Sequence, residues 1–391
     1  MARVFDLYVA DEDRQRSASP TLPATNYEMV DILERLGSEN IDSLYFEIDK
    51  SYRGEFLTDA LESGITIREL NILAWKISEM DEEQEAAFEG LVKMEQKTQH
   101  ISRLPYPKLL QLAENTDCCH VVSEARNDSQ LGRFYAENGF VEGADDLPDN
   151  LFELLDFEKI GREIRLEEGG VFTEDSGYVV RHSELRELKK LPDLGFRKPY
   201  YTMLLELRLA EYENGPVLQL ELPMTKEHIQ SLAEKYLLED ETVRCTDCAI
   251  PFFLDYIGKQ AVSLQELNDF AQMMDFALER GELAKYKAIL LATGCRDVSQ
   301  AAELGKYRWM EEYRFLPYQG EGDPEKYAAN WLKKTLGKEA RLVPDEGLEE
   351  LGRRLMERDH VIETGYGPVR RVDCQPIQRM EQEHSTMEMT M

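Results

Sequence analysis

The sequence contains no run of 18 apolar residues, so no segment is expected to cross a bilayer as a helix. Its opening residues, MARVFDLYVADEDRQ, turn acidic before an apolar core of secretory length develops, which predicts a cytoplasmic chain without a signal peptide. Cysteine is scarce. Six residues (Cys118, Cys119, Cys245, Cys248, Cys295 and Cys374) in a chain of 391 do not form a disulfide framework. Cys245 and Cys248 make one C-x-x-C, but zinc wants four ligands and no second close pair follows. The thiols therefore read as reduced, buried small hydrophobes, and neither a metal nor another cofactor is expected.

Catalytic signatures are missing as well. No P-loop, GxSxG or HExxH occurs, and the six histidines do not gather at metal-ligand spacing. The stretch LGRFYAENGFVE (residues 131–142) is similar to a segment of acyl-CoA-dependent N-acetyltransferases. The Gly-rich turn that would cradle a cofactor pyrophosphate is absent from the sequence, so no catalytic residue is assigned and a non-enzymatic role is expected.

The largest deficit is of cations: 46 basic against 77 acidic residues give a net charge of −31. Such a surface repels nucleic acid and anionic membranes, and it attracts basic surfaces built to hold a phosphate backbone. Residues 1–180 carry 39 acidic and 17 basic side chains, a net of −22, which makes the first half the stronger candidate for whatever the charge does.

What the sequence does contain is a long internal repeat. Leu22-Pro23-Ala24-Thr25 returns as Leu222-Pro223-Met224-Thr225, and TIRELN (residues 66–71) returns as SLQELN (residues 263–268). Each of the latter is a capping box that opens a helix, with Thr66 and Glu69 or Ser263 and Glu266 as its members. The apolar residues that follow keep helical spacing in both copies: Leu70, Leu73, Ala74 and Ile77 match Leu267, Phe270, Ala271 and Met274. Further on, Leu131-Gly132 matches Leu304-Gly305 and Gly161-Arg162 matches Gly352-Arg353.

The chain therefore reads as two diverged copies, 1–181 and 200–372, with a linker at 182–199 and a disordered tail at 373–391. Strands are expected at 4–9, 43–48, 203–209 and 217–222, and helices at 27–36 and 229–236. Hairpins are expected around Ser176-Gly177 and Tyr366-Gly367, and the fold class is α+β.

Two acidic stretches stand out in the first copy. In MDEEQEAAFEGL, Asp81, Glu82 and Glu83 suit a helix start, whereas Glu85 and Glu89 are like charges one turn apart that local helix stability does not explain. In DDLPDNLFELLDFEKIGREIRLEE, Leu151, Leu154 and Leu155 predict a buried stripe. That stripe leaves Asp149, Glu153 and Asp156 as a carboxylate row on the opposite face, flanked by Asp145, Asp146, Glu158, Glu167 and Glu168.

From TIRELN through TDCCHVV and LGRFYAENG to LPDNLFELLDFEKIGREIRLEEGGVFTEDSGYVV, the first copy resembles the ArdA antirestriction family. The resemblance implies an elongated α+β protein that is not an enzyme, whose carboxylates imitate the phosphates of bent duplex DNA. It further implies occupation of the DNA groove of Type I restriction-modification enzymes, chiefly the methyltransferase core of specificity and modification subunits. Family members pair through the segment that contains the Gly-Arg pair. Leu155, Gly161, Arg162, Gly352 and Arg353 are accordingly expected at an inter-copy or dimer interface, within one chain or between two. Arg353, Arg354, Arg358, Arg370 and Arg371 are expected to meet Glu163, Glu167 and Glu168. The rival reading is an acidic scaffold or adaptor for an unrelated basic protein.

Overall fold

The computed structural model describes residues 2–11, 16–144, 147–174, 176–188, 203–208, 217–236, 242–250, 252–253, 262–304 and 309–380. Both helices and strands are present along the chain, consistent with the α+β expectation.

The order begins β1 (Phe5–Ala10), β2 (Ser17–Ala18), β3 (Thr21–Leu22), α1 (Asn26–Leu36), β4 (Tyr45–Ser51) and α2 (Leu57–Ala60). A helical middle follows, of α3 (Ile67–Ser78), α4 (Glu82–Gln99) and α5 (Tyr106–Ala113). Next come β5 (Cys119–Val122), α6 (Asp128–Glu137), α7 (Asp149–Phe152), α8 (Phe157–Glu168), β6 (Val171–Phe172) and β7 (Tyr178–Arg181). The later part runs β8 (Met203–Arg208), β9 (Val217–Leu222), α9 (Lys226–Tyr236), β10 (Thr242–Cys248), β11 (Val262–Ser263), α10 (Leu264–Glu279), α11 (Leu283–Thr293) and α12 (Val298–Glu303). It closes with α13 (Trp309–Glu312), β12 (Tyr313–Phe315), α14 (Pro324–Leu336), α15 (Leu348–Arg358) and β13 (Val369–Arg371).

The chain folds into two units whose membership does not follow sequence order. The first holds residues 1–9, 19–24 and 46–196; the second holds 10–18, 25–45 and 197–391. Helix α1 thus belongs with the later part of the chain. Its Tyr27 lies in the same apolar cluster as Met203, Leu222, Phe270 and Ile289, and Asp31 and Glu34 both accept from the fully buried Lys287, at 2.5 and 2.8 Å. Tyr366 completes the arrangement, its hydroxyl donating to Asp31 at 2.8 Å while Lys287 sits 4.8 Å above its ring. A buried ammonium is tolerable there because two carboxylates and an aromatic face replace its water.

Matched features recur in the two units. Leu22 of β3 pairs with Phe5, and Leu222 of β9 pairs with Met203, both antiparallel. Each of these leucines precedes a cis proline, Pro23 or Pro223. The next residue is clamped by an asparagine from the following helix. The Ala24 N–H donates to Asn71 Oδ1 at 2.7 Å and Asn71 Nδ2 donates back to the Ala24 carbonyl at 3.0 Å. Met224 and Asn268 do the same at 2.7 and 3.2 Å. Both asparagines are buried and each amide satisfies two backbone groups, of which those of buried Ala24 would otherwise be stranded away from water. Both capping boxes are formed, Thr66 with Glu69 and Ser263 with Glu266.

The ends are alike too. Glycine lets two helices meet backbone to backbone: a Cβ on Gly161 would lie 1.9 Å from the Asp128 carbonyl, and one on Gly352 would lie 1.8 Å from the Pro324 carbonyl. Helix α8 therefore crosses α6, and α15 crosses α14. A short hairpin follows each pair, Val171 opposite Val179 and Ile362 opposite Val369. In their turns Thr173 and Thr364 donate to the carbonyls of Gly177 and Gly367.

Several expectations need correcting. Leu151 and Leu154 are exposed rather than buried, at 45% and 77%. The cause is that α7 ends at Phe152 and a turn intervenes before α8, so no continuous helix carries a stripe. The chain after Asp373 is not bare: Ile377 packs into the second unit's core, and the Met380 N–H donates to the Thr293 carbonyl at 2.8 Å. The start of the expected linker is also fixed, since Arg186 holds Asn115 and the Glu114 carbonyl. Residues 189–202 and 381–391 lie outside the described residues.

Candidate acidic partner-binding surface

The carboxylates singled out in the sequence divide into those that hold the fold and those that do not. Glu85 belongs to the first group: it accepts from Arg53 Nε and from the Gly54 N–H, both at 2.8 Å. Glu89 pairs with Lys93 at 2.7 Å and accepts from the Glu174 N–H at 3.0 Å. The like-charge pair that local helix stability left unexplained is accounted for by tertiary contacts. Asp81 caps α4 by accepting from the Gln84 N–H at 2.8 Å.

The row of Asp149, Glu153 and Asp156 is not a row on one helix face. Asp149 opens the four-residue α7, and its side chain lies outside the described residues, as do Asp145 and Asp146. Glu153 sits in the turn and pairs with Arg133 at 2.5 Å; Asp156 caps α8, accepting from the Lys159 N–H at 3.1 Å. Glu158 pairs with Arg162 one turn on, at 2.5 Å. Glu168 accepts from the Tyr135 and Tyr178 hydroxyls, whereas Glu167 is exposed and has no cation partner among the described residues.

The expected charge pairing of the closing arginines is also corrected. Arg353 and Arg354 pair with Glu349 and Glu350 on their own helix at 2.5 and 2.9 Å, and Arg358 and Arg371 pair with Asp359 and Asp373 close by in sequence. An i,i+4 partner is already in reach when the helix forms, whereas a distant carboxylate must be brought there. Arg370 donates to the carbonyls of Arg371 and Val372. Gly161 and Gly352 are buried at helix crossings inside their own units; Leu155 is half-buried and Arg162 exposed.

A further group of uncompensated carboxylates belongs to the start of α4 and the segment that packs on it. The segment before α2 is laid across that start by the Arg53 and Gly54 contacts to Glu85 and by the Phe56 ring, edge-on to Phe88 at 5.5 Å between centroids. This sets Glu55 next in the chain to the Gly54 that Glu85 holds, and Glu55, Asp59, Asp81, Glu82 and Glu83 are all exposed. Arg53 is committed to Glu85, and among the described residues Glu55, Asp59, Glu82 and Glu83 have no cation partner. The N-terminal end of the α4 dipole tolerates Asp81, Glu82 and Glu83 there, at about 0.3–1 kcal/mol per carboxylate.

Sequence reasoning missed Glu55 and Asp59, because the contacts that dock their segment on α4, Gly54 to Glu85 and Phe56 to Phe88, join residues remote in sequence. It also missed Asp128, which Arg165 grips at 2.7 and 3.0 Å, its hydrogen bonds holding the Asp128 carboxyl below the usual range. Counted by unit, the charge is evenly spread: 34 acidic and 18 basic residues (−16) in the first, 43 and 28 (−15) in the second. The asymmetry between the halves of the sequence disappears because the acidic segments 10–18 and 25–45 belong to the second unit.

The chemistry of the thiols is quiet. Cys118, Cys119, Cys248 and Cys295 are buried, and burial pushes the Cys119 thiol up to about 12. The side chain of Cys245 lies outside the described residues. Among the described residues no group of three or more His, Cys, Asp or Glu is placed to hold a metal ion, and no helix is long and apolar enough to cross a membrane. No protein-family model matches the sequence, and no curated protein matches it.

Proposed function

We propose that this protein is a double ArdA-like antirestriction protein, which occupies the DNA-binding groove of a Type I restriction-modification enzyme by presenting carboxylates where DNA presents phosphates. The observation that carries the reading is that Glu55, Asp59, Glu82 and Glu83 are exposed and have no cation partner among the described residues, while Arg53, next but one to Glu55 in the chain, is consumed by Glu85. A net charge of −31 adds the long-range field that steers a basic groove toward it. The recurring clamp of Asn71 on Ala24 and Asn268 on Met224 supports the idea of two diverged copies in one cytoplasmic chain.

Binding of this kind gains from ion release, as DNA binding does, and weakens steeply with salt. The reading is tested by mixing the protein with the DNA-free methyltransferase core and measuring complex formation by light scattering. A stable complex is expected, and reversal of Glu55, Asp59, Glu82 and Glu83 to lysine is expected to lower its affinity by at least about tenfold. Equal affinity of the reversed variant would remove these carboxylates from the account.

A further inference from the structure

The first unit holds a groove of ≈ 600 Å³ that none of Glu55, Asp59, Glu82 and Glu83 lines. One wall is aromatic: Tyr135 of α6 lies 5.9 Å from Phe134 and 5.5 Å from Phe140, centroid to centroid. Phe140 is 68% exposed, a large ring left in water. Glu168, the last residue of α8, closes this end. Its carboxylate accepts from the Tyr135 hydroxyl at 2.9 and 3.0 Å and from the Tyr178 hydroxyl at 3.0 Å. Burial, reinforced by Glu168, pushes both phenols up, so they remain protonated donors.

This combination has a chemical meaning. Two neutral donors fix the orientation of Glu168 without cancelling its charge, and among the described residues no cation is paired with it. Aromatic faces carry negative electrostatic potential, so rings beside an unneutralised carboxylate favour an organic cation over water or an anion. A guanidinium suits such a seat better than an ammonium, because its plane stacks on a ring while its edge donates to a carboxylate. The far end differs: His120 and His182 stack there at 4.3 Å, beside Arg181. That end would repel a cation, which confines the seat to Tyr135, Phe140 and Glu168.

We propose that this groove receives an arginine side chain inserted by the protein partner. The choice of partner rests on the function proposed above, since a groove built to bind DNA is rich in arginine; the seat itself rests on the groove alone.

The test has two arms on the full chain. First, protein with 13C-labelled phenylalanine rings is titrated with N-acetylarginine amide and with its neutral isostere, N-acetylcitrulline amide. Saturable shifts with arginine alone are expected, weakened about tenfold in Glu168→Gln, which keeps an acceptor for the tyrosines but removes the charge. Equal responses to the two amides, or an unchanged affinity in Glu168→Gln, would overturn the seat. Second, Glu168→Gln and Phe140→Ala are expected to weaken binding to the methyltransferase core severalfold; Phe140 is exposed, so its removal spares the fold. Amide binding with undiminished methyltransferase binding in both variants would overturn the partner assignment and leave the role of the exposed carboxylates standing. Amide binding by a wild-type protein that ignores the methyltransferase would overturn the functional reading and leave the seat standing.

Discussion

Replacing Gly161 with alanine should unfasten the end of the first unit. The added Cβ would lie 1.9 Å from the Asp128 carbonyl oxygen and 2.7 Å from the Gly132 nitrogen. Even a close C–H···O contact keeps carbon and oxygen about 3.3 Å apart, so α8 must retreat from α6 by about 1.4 Å. Both obstructing atoms are backbone, so no rotamer change relieves the clash. The retreat also draws Arg165 from Asp128 and loosens the apolar cluster in which Ile164 of α8 packs with Leu131 of α6 and Tyr178 of β7. Overpacking of this kind costs about 1–3 kcal/mol. Exchange of glycine for alanine inside a helix returns about 1 kcal/mol. With rigid atoms on both sides, a net loss of about 2 kcal/mol is expected. Urea denaturation of the full chain followed by circular dichroism reads it as an earlier transition, with Glu163→Ala, on the exposed face of the same helix, as a control expected within about 0.5 kcal/mol of wild type. A Gly161→Ala protein as stable as wild type would refute the close crossing, and with it the role given to the repeated Gly-Arg motif.

Other consequences can be checked in parallel. Asn71→Ala strands the buried Ala24 N–H and carbonyl and should lose about 1–3 kcal/mol per unsatisfied group in denaturant titrations, whereas Asn268→Ala should lose less, because Met224 is only half-buried and Gln272 also donates to its carbonyl; a neutral outcome for Asn71→Ala would contradict the clamp. Burial pushes the Glu34 carboxyl above its ordinary range, with Lys287 partly opposing it. The folded state therefore holds that proton more tightly than the unfolded chain, so the contribution is present below the ordinary value and lost as pH rises through the raised one. Stability of wild type relative to Glu34→Gln should decline as pH rises above the ordinary glutamate range of about 4, and a rise there would reverse the argument. Iodoacetamide at about pH 8 should label half-exposed Cys374 well before Cys119, whose thiol stays protonated there; comparable rates by mass spectrometry would show Cys119 to be accessible.

Much of the framework is written locally and was therefore legible in sequence. The Thr66 and Ser263 boxes, the strands that include Phe5 and Met203, and the glycine hairpins depend on residues a few positions apart. The shared asparagine of TIRELN and SLQELN was visible as a repeat, but its purpose was not, because Ala24 is 47 positions away. Assignment of α1 to the second unit hinges on Lys287, 256 positions from Asp31, a pairing that periodicity cannot reveal. The acidic surface was the least legible feature. Composition counts every carboxylate equally, whereas the fold consumes Glu85, Glu89, Asp128 and Glu153 in ion pairs and leaves Glu55, Asp59, Glu82 and Glu83 to the solvent. The expected row on 149–156 failed because helical spacing was projected through a turn, where Leu154 points to water.

The most direct test of the central claim is displacement. A labelled duplex is bound to a Type I restriction methyltransferase, and the protein is titrated in at low and at moderate salt. Mimicry predicts release of the duplex at near-stoichiometric protein, and a marked loss of potency as salt rises. A duplex that stays bound at every protein concentration and at both salts would contradict it.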